Sequence, residues 1–154
     1  MGGDVCHYAG GFRPTEAYPL PRTITPDQLP ASRVPAPCSS CLFTVFHPKQ
    51  EDAHRIPYYN ITKKEGSWYT DHVAAQKSVK ALMEFDDSDN VFVAIAHDVG
   101  LVPVVELFPR YMNKWKELGW KEKSHWGYLS ELPVGGKPAE QYVSGLMREG
   151  KPVT

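Results

Sequence analysis

The chain has 154 residues, with 17 Lys and Arg against 18 Asp and Glu, a net charge of −1. A chain of this length can bury about 70% of its unfolded surface and needs no disulfide or metal to fold. Its balanced charge gives no support to binding of a nucleic acid or of an anionic membrane surface. No apolar run approaches the roughly 18 residues of a membrane-spanning helix. Three cysteines without a secretory signal favour a reducing, cytoplasmic compartment. We therefore expect one globular domain over residues 1–154.

Proline is unevenly distributed along the chain. Seven of the 14 prolines lie within residues 13–37, where the missing N–H donors and the restricted preceding residues disfavour helix. The same segment carries apolar side chains such as Leu20, Ile24 and Leu29, which a disordered linker usually lacks. We predict that residues 13–37 form an ordered Pro-rich loop lying against a surface.

Two segments in the middle of the chain have stronger patterns. The apolar run 39–46 is too short for periodicity to separate helix from strand. Thr70–Phe85 is predicted to be a helix, capped by Thr70 or Asp71, because four apolar residues fall on one face. These residues are Ala75, Val79, Leu82 and Met83.

The sequence after residue 90 predicts a strand followed by short helices. Residues 91–96 (VFVAIA) form a continuous β-rich apolar run between turn residues, typical of a strand buried on both faces. Short helices are predicted at Val99–Phe108, at Asn113–Leu118 with Gly119 ending it, and at Ala139–Glu149. The aromatic cluster around Trp120, Trp126 and Tyr128 favours a late strand or a packed edge. Helix, buried strand and helix in succession indicate a layered α/β fold.

Three short patterns could carry chemistry. His97-Asp98 follows the predicted strand, where binding groups concentrate in α/β folds; His97 could be a metal ligand or base, or Asp98 could simply cap the next helix. Gly2-Gly3-Asp4 with His7 could bring a carboxylate and an imidazole together, or could be an ordinary turn. Cys38-Ser-Ser-Cys41 could be half of a zinc site or a redox pair, but no second ligand pair accompanies it.

The remaining charged and histidine side chains are predicted to play ordinary roles. Glu84, Asp86, Asp87 and Asp89 form an acidic turn without the spacing of a calcium-binding loop, which favours a solvated connection. Arg13 could pair with a substrate carboxylate, although a surface salt bridge is more typical. His125, among the tryptophans, is predicted to be a packing or surface residue.

Several of these motifs resemble a known family when taken together. GGDVCHYAGGFRPTEAYPLP (2–21), KALMEFDDSDNVFVAIAHD (80–98) and NKWKELGWKE (113–122) resemble, in order, the C-terminal half of fungal metallo-β-lactamase-superfamily proteins. The similar branch is hydrolase-like and is often found beside secondary-metabolite genes. The resemblance implies an αββα sandwich, of which this chain would supply one αβ half.

The resemblance also implies a partial zinc site. Asp4 matches the bridging aspartate of the family, His97 matches its last histidine ligand, and Asp98 follows that histidine as a supporting residue. His7 stands where the branch shows a histidine pair. The family's HxHxDH motif does not occur in these 154 residues, and a catalytic zinc needs about three protein ligands. We therefore expect a chain truncated before that motif, with an incomplete zinc site.

Four functional hypotheses follow. The chain could be a truncated, weak or inactive relative of zinc hydrolases of ester, lactone, thioester or amide bonds. It could be an active hydrolase whose missing ligands come from a homodimer or a separate N-terminal half. It could be a non-catalytic protein that binds or stabilises a partner through an exposed sheet face. A Cys38–Cys41 redox or zinc module ranks last.

Overall fold

A computed structural model gives the fold of the chain. It describes residues 5–30, 34–65, 69–106, 109–134, 147–148 and 151–152. The described α-helices are α1 (Cys41–Thr44), α2 (His72–Asp86) and α3 (Trp120–Ser124), and the strands are β1 (Thr23–Ile24), β2 (Cys38–Ser39), β3 (Met147–Arg148) and β4 (Lys151–Pro152). Single turns of 3₁₀ helix connect them at Ala9–Gly11, Pro26–Gln28, Gln50–Asp52, Val99–Leu101, Met112–Lys114 and Gly127–Glu131.

Helix α2 confirms the strongest prediction from the sequence. Asp71 is its N-cap, and one carboxylate oxygen accepts hydrogen bonds from the backbone N–H groups of Val73 and Ala74 at 3.0 and 2.9 Å. Val79 and Leu82 are buried on the expected face. The helix extends one residue beyond the predicted end, to Asp86, which continues the buried stripe and is itself buried. A charged residue on the buried face of a helix needs a buried partner.

The described part of the Pro-rich segment contains short regular elements. Strands β1 and β2 pair antiparallel, with Thr23 opposite Ser39 and Ile24 opposite Cys38. Leu20, Ile24 and Leu29 are buried. A capping box closes the 3₁₀ turn at Pro26–Gln28, since the Gln28 side chain accepts a hydrogen bond from the N–H of Thr25 at 3.0 Å.

The predicted strand at 91–96 is wrong. These residues form no strand ladder. Only Val93 and Ile95 are buried, while residues 91, 92 and 94 are half-buried and Ala96 is exposed. A strand requires the backbone of a second strand beside it, and composition cannot reveal whether one is present. Within the described ranges, the pairings are β1 with β2 and β3 with β4, each two residues long.

Three other secondary-structure predictions are corrected or restricted. Val99–Phe108 is only one 3₁₀ turn, Val99–Leu101, followed by turns up to residue 106, with 107 and 108 outside the described residues. The predicted late strand around Trp120 is instead helix α3 and the 3₁₀ turn Gly127–Glu131. Most of the predicted helix Ala139–Glu149 lies outside the described residues, but Met147–Arg148 is strand β3, so the helix does not reach that point. Packing, rather than local propensity, decides such short segments.

The core is aromatic and lies between α2 and the C-terminal helical turns. Phe12, Phe43, Tyr58, Trp126 and Tyr128 are almost completely buried. The predicted packed aromatic cluster is thus confirmed, although on helical turns. Gly119 also ends the preceding turns as predicted, in the left-handed conformation with φ 62°. In the described ranges, no helix combines the length and apolar character needed to cross a membrane.

Candidate functional site

Two of the four predicted site residues meet at the surface. The imidazole rings of His7 and His97 stack with centroids 5.0 Å apart and planes inclined by 29°, and both residues are exposed. Asp4 lies outside the described residues. Histidines from two of the short sequence patterns, His97-Asp98 and Gly2-Gly3-Asp4 with His7, therefore lie together, although 89 residues separate His7 from His97 in the sequence.

The backbone at His97 has an unusual conformation. His97 has a positive φ of 69°, in the left-handed region that few residues other than glycine adopt. The next residue, Asp98, begins the turn Val99–Leu101 as its N-cap, and its Oδ1 accepts a hydrogen bond from the N–H of Gly100 at 3.0 Å. Strained backbone persists where its surroundings hold it in place, and here the capped turn supplies that restraint directly after His97.

Asp98 connects the surface histidine to a buried charge network. It is 6% exposed, and its Oδ2 lies 3.9 Å from Nη1 of Arg13. Burial raises the pKa of Asp98, and the Arg13 guanidinium opposes that rise. The capping role that the sequence left open for Asp98 is thus present, together with a long electrostatic contact to Arg13.

Arg13 is the centre of this network, which corrects the prediction of a surface salt bridge or a substrate contact. The residue is 1% exposed. Its Nε and Nη2 atoms donate to Oδ2 and Oδ1 of Asp86, each at 2.7 Å, and its Nη1 donates to the carbonyl of His125 at 3.3 Å. Asp86, predicted to be solvated, is equally buried. A two-point Arg–carboxylate pair is among the strongest charge-assisted arrangements in proteins.

A buried lysine holds the end of α2 beside this pair. Nζ of Lys121 donates to the carbonyl oxygens of Asp86, Ser88 and Val91 at 2.5, 2.7 and 3.0 Å. A cation at this position satisfies carbonyl groups that a helix terminus leaves unpaired and interacts favourably with the helix dipole. Lys121 and Arg13 therefore fix the segment 86–91, which leads directly toward His97.

Two further titratable groups lie near the network. His125 is buried, which fits the predicted packing role and not the predicted surface role. Desolvation, together with the nearby charges of Arg13 and Lys121, lowers the pKa of His125 well below its usual value. Glu131 ends the turn Gly127–Glu131. Partial burial, with a smaller contribution from Asp98, raises the pKa of Glu131 to about 7.

Glu131 should make the stability of the chain depend on pH. Its pKa rises from 4.5 to about 7 on folding, so between these values the folded chain holds a proton that the unfolded chain releases. Stability therefore falls as pH rises through this range, and the penalty is fully present above pH 7. We expect Glu131→Gln to raise the free energy of unfolding by on the order of 1 kcal/mol at pH 8, after allowance for partial solvent exposure.

Urea unfolding at pH 8 and at pH 4 checks this expectation. At pH 4 the variant should match the wild type, because Glu131 is protonated in both states. Glu106→Gln, at a side chain that is 59% exposed, is the matched control and should change stability little at either pH. An equal gain from Glu131→Gln at both pH values would contradict a titration effect.

The described residues do not by themselves form a zinc centre. His7 and His97 provide two imidazoles at one surface, but a catalytic zinc takes about three protein ligands. In the parts of the chain that the structure describes, no three His, Cys, Asp or Glu side chains are grouped as a metal site requires. Cys38 and Cys41 are free thiols, in β2 and at the start of α1 respectively.

Sequence reasoning missed the network behind the site, although one signal was available. Asp86 lies seven residues after Val79 and four after Leu82, on the same face of α2. A carboxylate on the apolar face of a helix indicates a buried cation opposite. The partner, Arg13, is 73 residues away in the chain, and no local pattern could identify it.

Comparison with known proteins places most of the chain beside fungal enzymes. It is 40% identical over 132 residues to gamma-lactamase FDB1 of Fusarium pseudograminearum, covering 86% of this chain and 31% of that protein. It is 32% identical to metallo-hydrolase mfmC of Annulohypoxylon moriforme, covering 86% of this chain and 32% of that protein. It is also 31% identical to cytochrome P450 monooxygenase mpaDE' of Penicillium brevicompactum, covering 86% of this chain but 12% of that protein.

The chain spans about a third of the length of the first two relatives. No family model and no solved structure gives a match. Each of these relatives nevertheless aligns with 86% of this chain. The resemblance seen in the sequence is confirmed: the chain is a homologue of fungal metallo-β-lactamase-superfamily proteins.

Proposed function

We propose that this chain forms part of a metallo-β-lactamase-type hydrolase that cleaves an ester, lactone, thioester or amide bond. Two relatives are named gamma-lactamase and metallo-hydrolase, at 40% and 32% identity. The observation that carries the proposal is the stacking of His7 on His97 at an exposed edge. Imidazole is the commonest metal ligand in proteins.

The proposed zinc site is shared with residues outside the described part of the chain. His97 would be a ligand, with His7 beside it, and Asp4 would contribute a carboxylate. The remaining donors come from a second copy of the chain or from a polypeptide equivalent to the rest of the longer relatives. In this proposal the chain is one αβ half of an αββα sandwich, working in the cytoplasm in fungal secondary metabolism.

The chain's own contribution is to hold His97 in place. Asp98 caps the turn that follows His97, and Arg13 lies against the second carboxylate oxygen of Asp98. The two-point pair of Arg13 with Asp86 keeps the guanidinium fixed. A ligand supported in this way loses little conformational freedom when it binds, which favours a defined site.

Hydrolysis assays with the purified, zinc-loaded chain test this function. A panel of chromogenic esters, lactones, thioesters and amides should include at least one substrate that is cleaved faster than in buffer. Chelation and His97→Ala should abolish that activity, whereas His54→Ala, at a histidine bonded to the carbonyl of Leu20, should preserve it. Equal rates for wild type and His97→Ala would contradict the proposal. So would absence of hydrolysis by the wild type both alone and after addition of a polypeptide equivalent to the rest of the longer relatives.

A further inference from the structure

A cavity of about 300 Å³ lies directly against His7. One wall is formed by Cys6, His7, Tyr8 and Gly11, and residues 59–62 with Tyr69 and Val79 form the rest. Val79 belongs to the buried face of α2, so the floor of the cavity is continuous with the core. The cavity therefore joins the histidine edge to an apolar interior.

The described lining of this cavity contains no aspartate, glutamate, lysine or arginine. Tyr59 and Tyr69 present aromatic rings, and the Tyr59 ring meets that of Tyr8 edge to face, with centroids 5.5 Å apart. Asn60 and Thr62, both exposed, add neutral polar groups at the rim. This composition is that of a small-molecule pocket, mostly apolar with a few polar groups.

Two ionisable side chains of the lining, Cys6 and Tyr69, keep their neutral forms near pH 7. The Cys6 thiol donates to the carbonyl of Tyr8 at 3.0 Å, and desolvation by burial raises the pKa of Cys6 and of Tyr69. A charged ligand group would lose its hydration in this cavity and would find no aspartate, glutamate, lysine or arginine in the described lining to pair with, which is costly. An uncharged group would meet no such penalty.

Two of the larger cavities differ from it in position and in chemistry. One of about 460 Å³ is lined by Lys49, Lys80, Glu84 and Asp87 among others, so it carries charges of both signs. The other, about 480 Å³, is apolar and includes Phe85 and Phe92, but its lining contains no histidine. Of these three cavities, the one beside His7 has both a lining without aspartate, glutamate, lysine or arginine and a histidine of the candidate site.

We propose that this cavity binds an uncharged, largely apolar group of the substrate and so selects neutral molecules over anions and cations. The proposal rests on the proposed function, because the bound group would place the scissile bond at the His7–His97 edge. It assigns substrate selection to Tyr59, Asn60 and Tyr69, outside the predicted metal ligands.

Three probes of similar shape and different charge test the cavity: benzamide, benzoate and benzylammonium. Titration of the metal-free chain, followed by protein NMR, should show benzamide binding at least about tenfold more tightly than either ion. Tyr59→Ala should weaken benzamide binding several-fold. Tyr111→Ala, at a tyrosine that is 84% exposed and does not line the cavity, is the matched control and should leave binding unchanged.

A positive charge introduced at the rim of the cavity should strengthen the binding of one probe, a result that a misfolded variant cannot give. Asn60→Lys, at an exposed position, should raise the affinity for benzoate at least several-fold and lower that for benzylammonium. Equal binding of the three probes, no binding of benzamide, or an unchanged preference in Asn60→Lys would overturn the proposal. These titrations require neither zinc nor hydrolysis. Selective benzamide binding, together with absence of hydrolysis by the chain alone and with the added polypeptide, would therefore refute the hydrolase function and leave this proposal standing.

Discussion

Replacement of Arg13 by methionine is expected to lower the free energy of unfolding by about 3–5 kcal/mol, because it leaves the Asp86 carboxylate buried without its cation. Both residues are 1% exposed, and two hydrogen bonds of 2.7 Å join them. A domain of ordinary stability has only about 5–15 kcal/mol in total. Urea unfolding followed by circular dichroism should therefore show a large fall in the midpoint, or an unfolded variant.

Two comparisons separate this effect from the general loss of an arginine. Arg110 forms an i, i+4 pair with Glu106 at 3.9 Å, with both side chains more than half exposed, and Arg110→Met should cost no more than about 0.5 kcal/mol. The double variant Arg13→Met with Asp86→Leu should recover much of the loss, because apolar replacement of a whole buried pair is often tolerated. Similar losses for Arg13→Met and Arg110→Met would contradict the network.

Alanine at Gly100 is expected to destabilise the chain by about 1–3 kcal/mol through steric overlap. A Cβ atom there would lie 2.8 Å from the Cα of Gly127, so the turns Val99–Leu101 and Gly127–Glu131 touch backbone to backbone. The N–H of Gly100 also donates to Asp98. Displacement of this turn should therefore shift the NMR signals of His97 as well as lower the unfolding midpoint.

The control is Gly119, which neither packs against the backbone of another turn nor donates to Asp98. A Cβ at Gly119 would have its nearest neighbour at 3.7 Å, and asparagine adopts the left-handed backbone with φ 62° more readily than other non-glycine residues. Gly119→Asn should therefore change the unfolding midpoint little and leave His97 unaffected. If Gly100→Ala were as mild as Gly119→Asn, the close approach of the two turns would be refuted.

Local signals predicted the elements that depend on a single stretch of sequence. The α2 helix could be predicted because its cap, its apolar stripe and its length all lie within residues 71–86. Gly119 could be predicted as a helix end because the left-handed conformation is a local property. The meeting of His7 and His97 was implied by the family resemblance, since their separation along the chain gives no local signal.

The remaining features depend on partners that are distant in sequence. Residues 91–96 have strand composition, but a ladder forms only where a second strand is adjacent. Arg13 looks like a surface residue until the fold brings it against Asp86 in the interior. The burial of Lys121 likewise could not be predicted from the sequence, because its ammonium group donates to three backbone carbonyl groups and not to a carboxylate.

The buried network and the candidate site form one connected structure. Lys121 and Arg13 fix the end of α2, and Arg13 also lies against Asp98, which directly follows His97. Stability and site geometry are therefore coupled in this chain. Variants that weaken the network should also broaden or shift the signals of His97, even though Arg13 does not reach the surface.

The most direct test of the central claim is the amount of zinc that the purified chain retains after dialysis, measured for wild type, His97→Ala and His54→Ala. If His97 lies at the metal edge of a hydrolase, wild type and His54→Ala should retain zinc and His97→Ala should lose it. Equal zinc in all three proteins would contradict the account, as would absence of retained zinc in the wild type both alone and together with a polypeptide equivalent to the rest of the longer relatives.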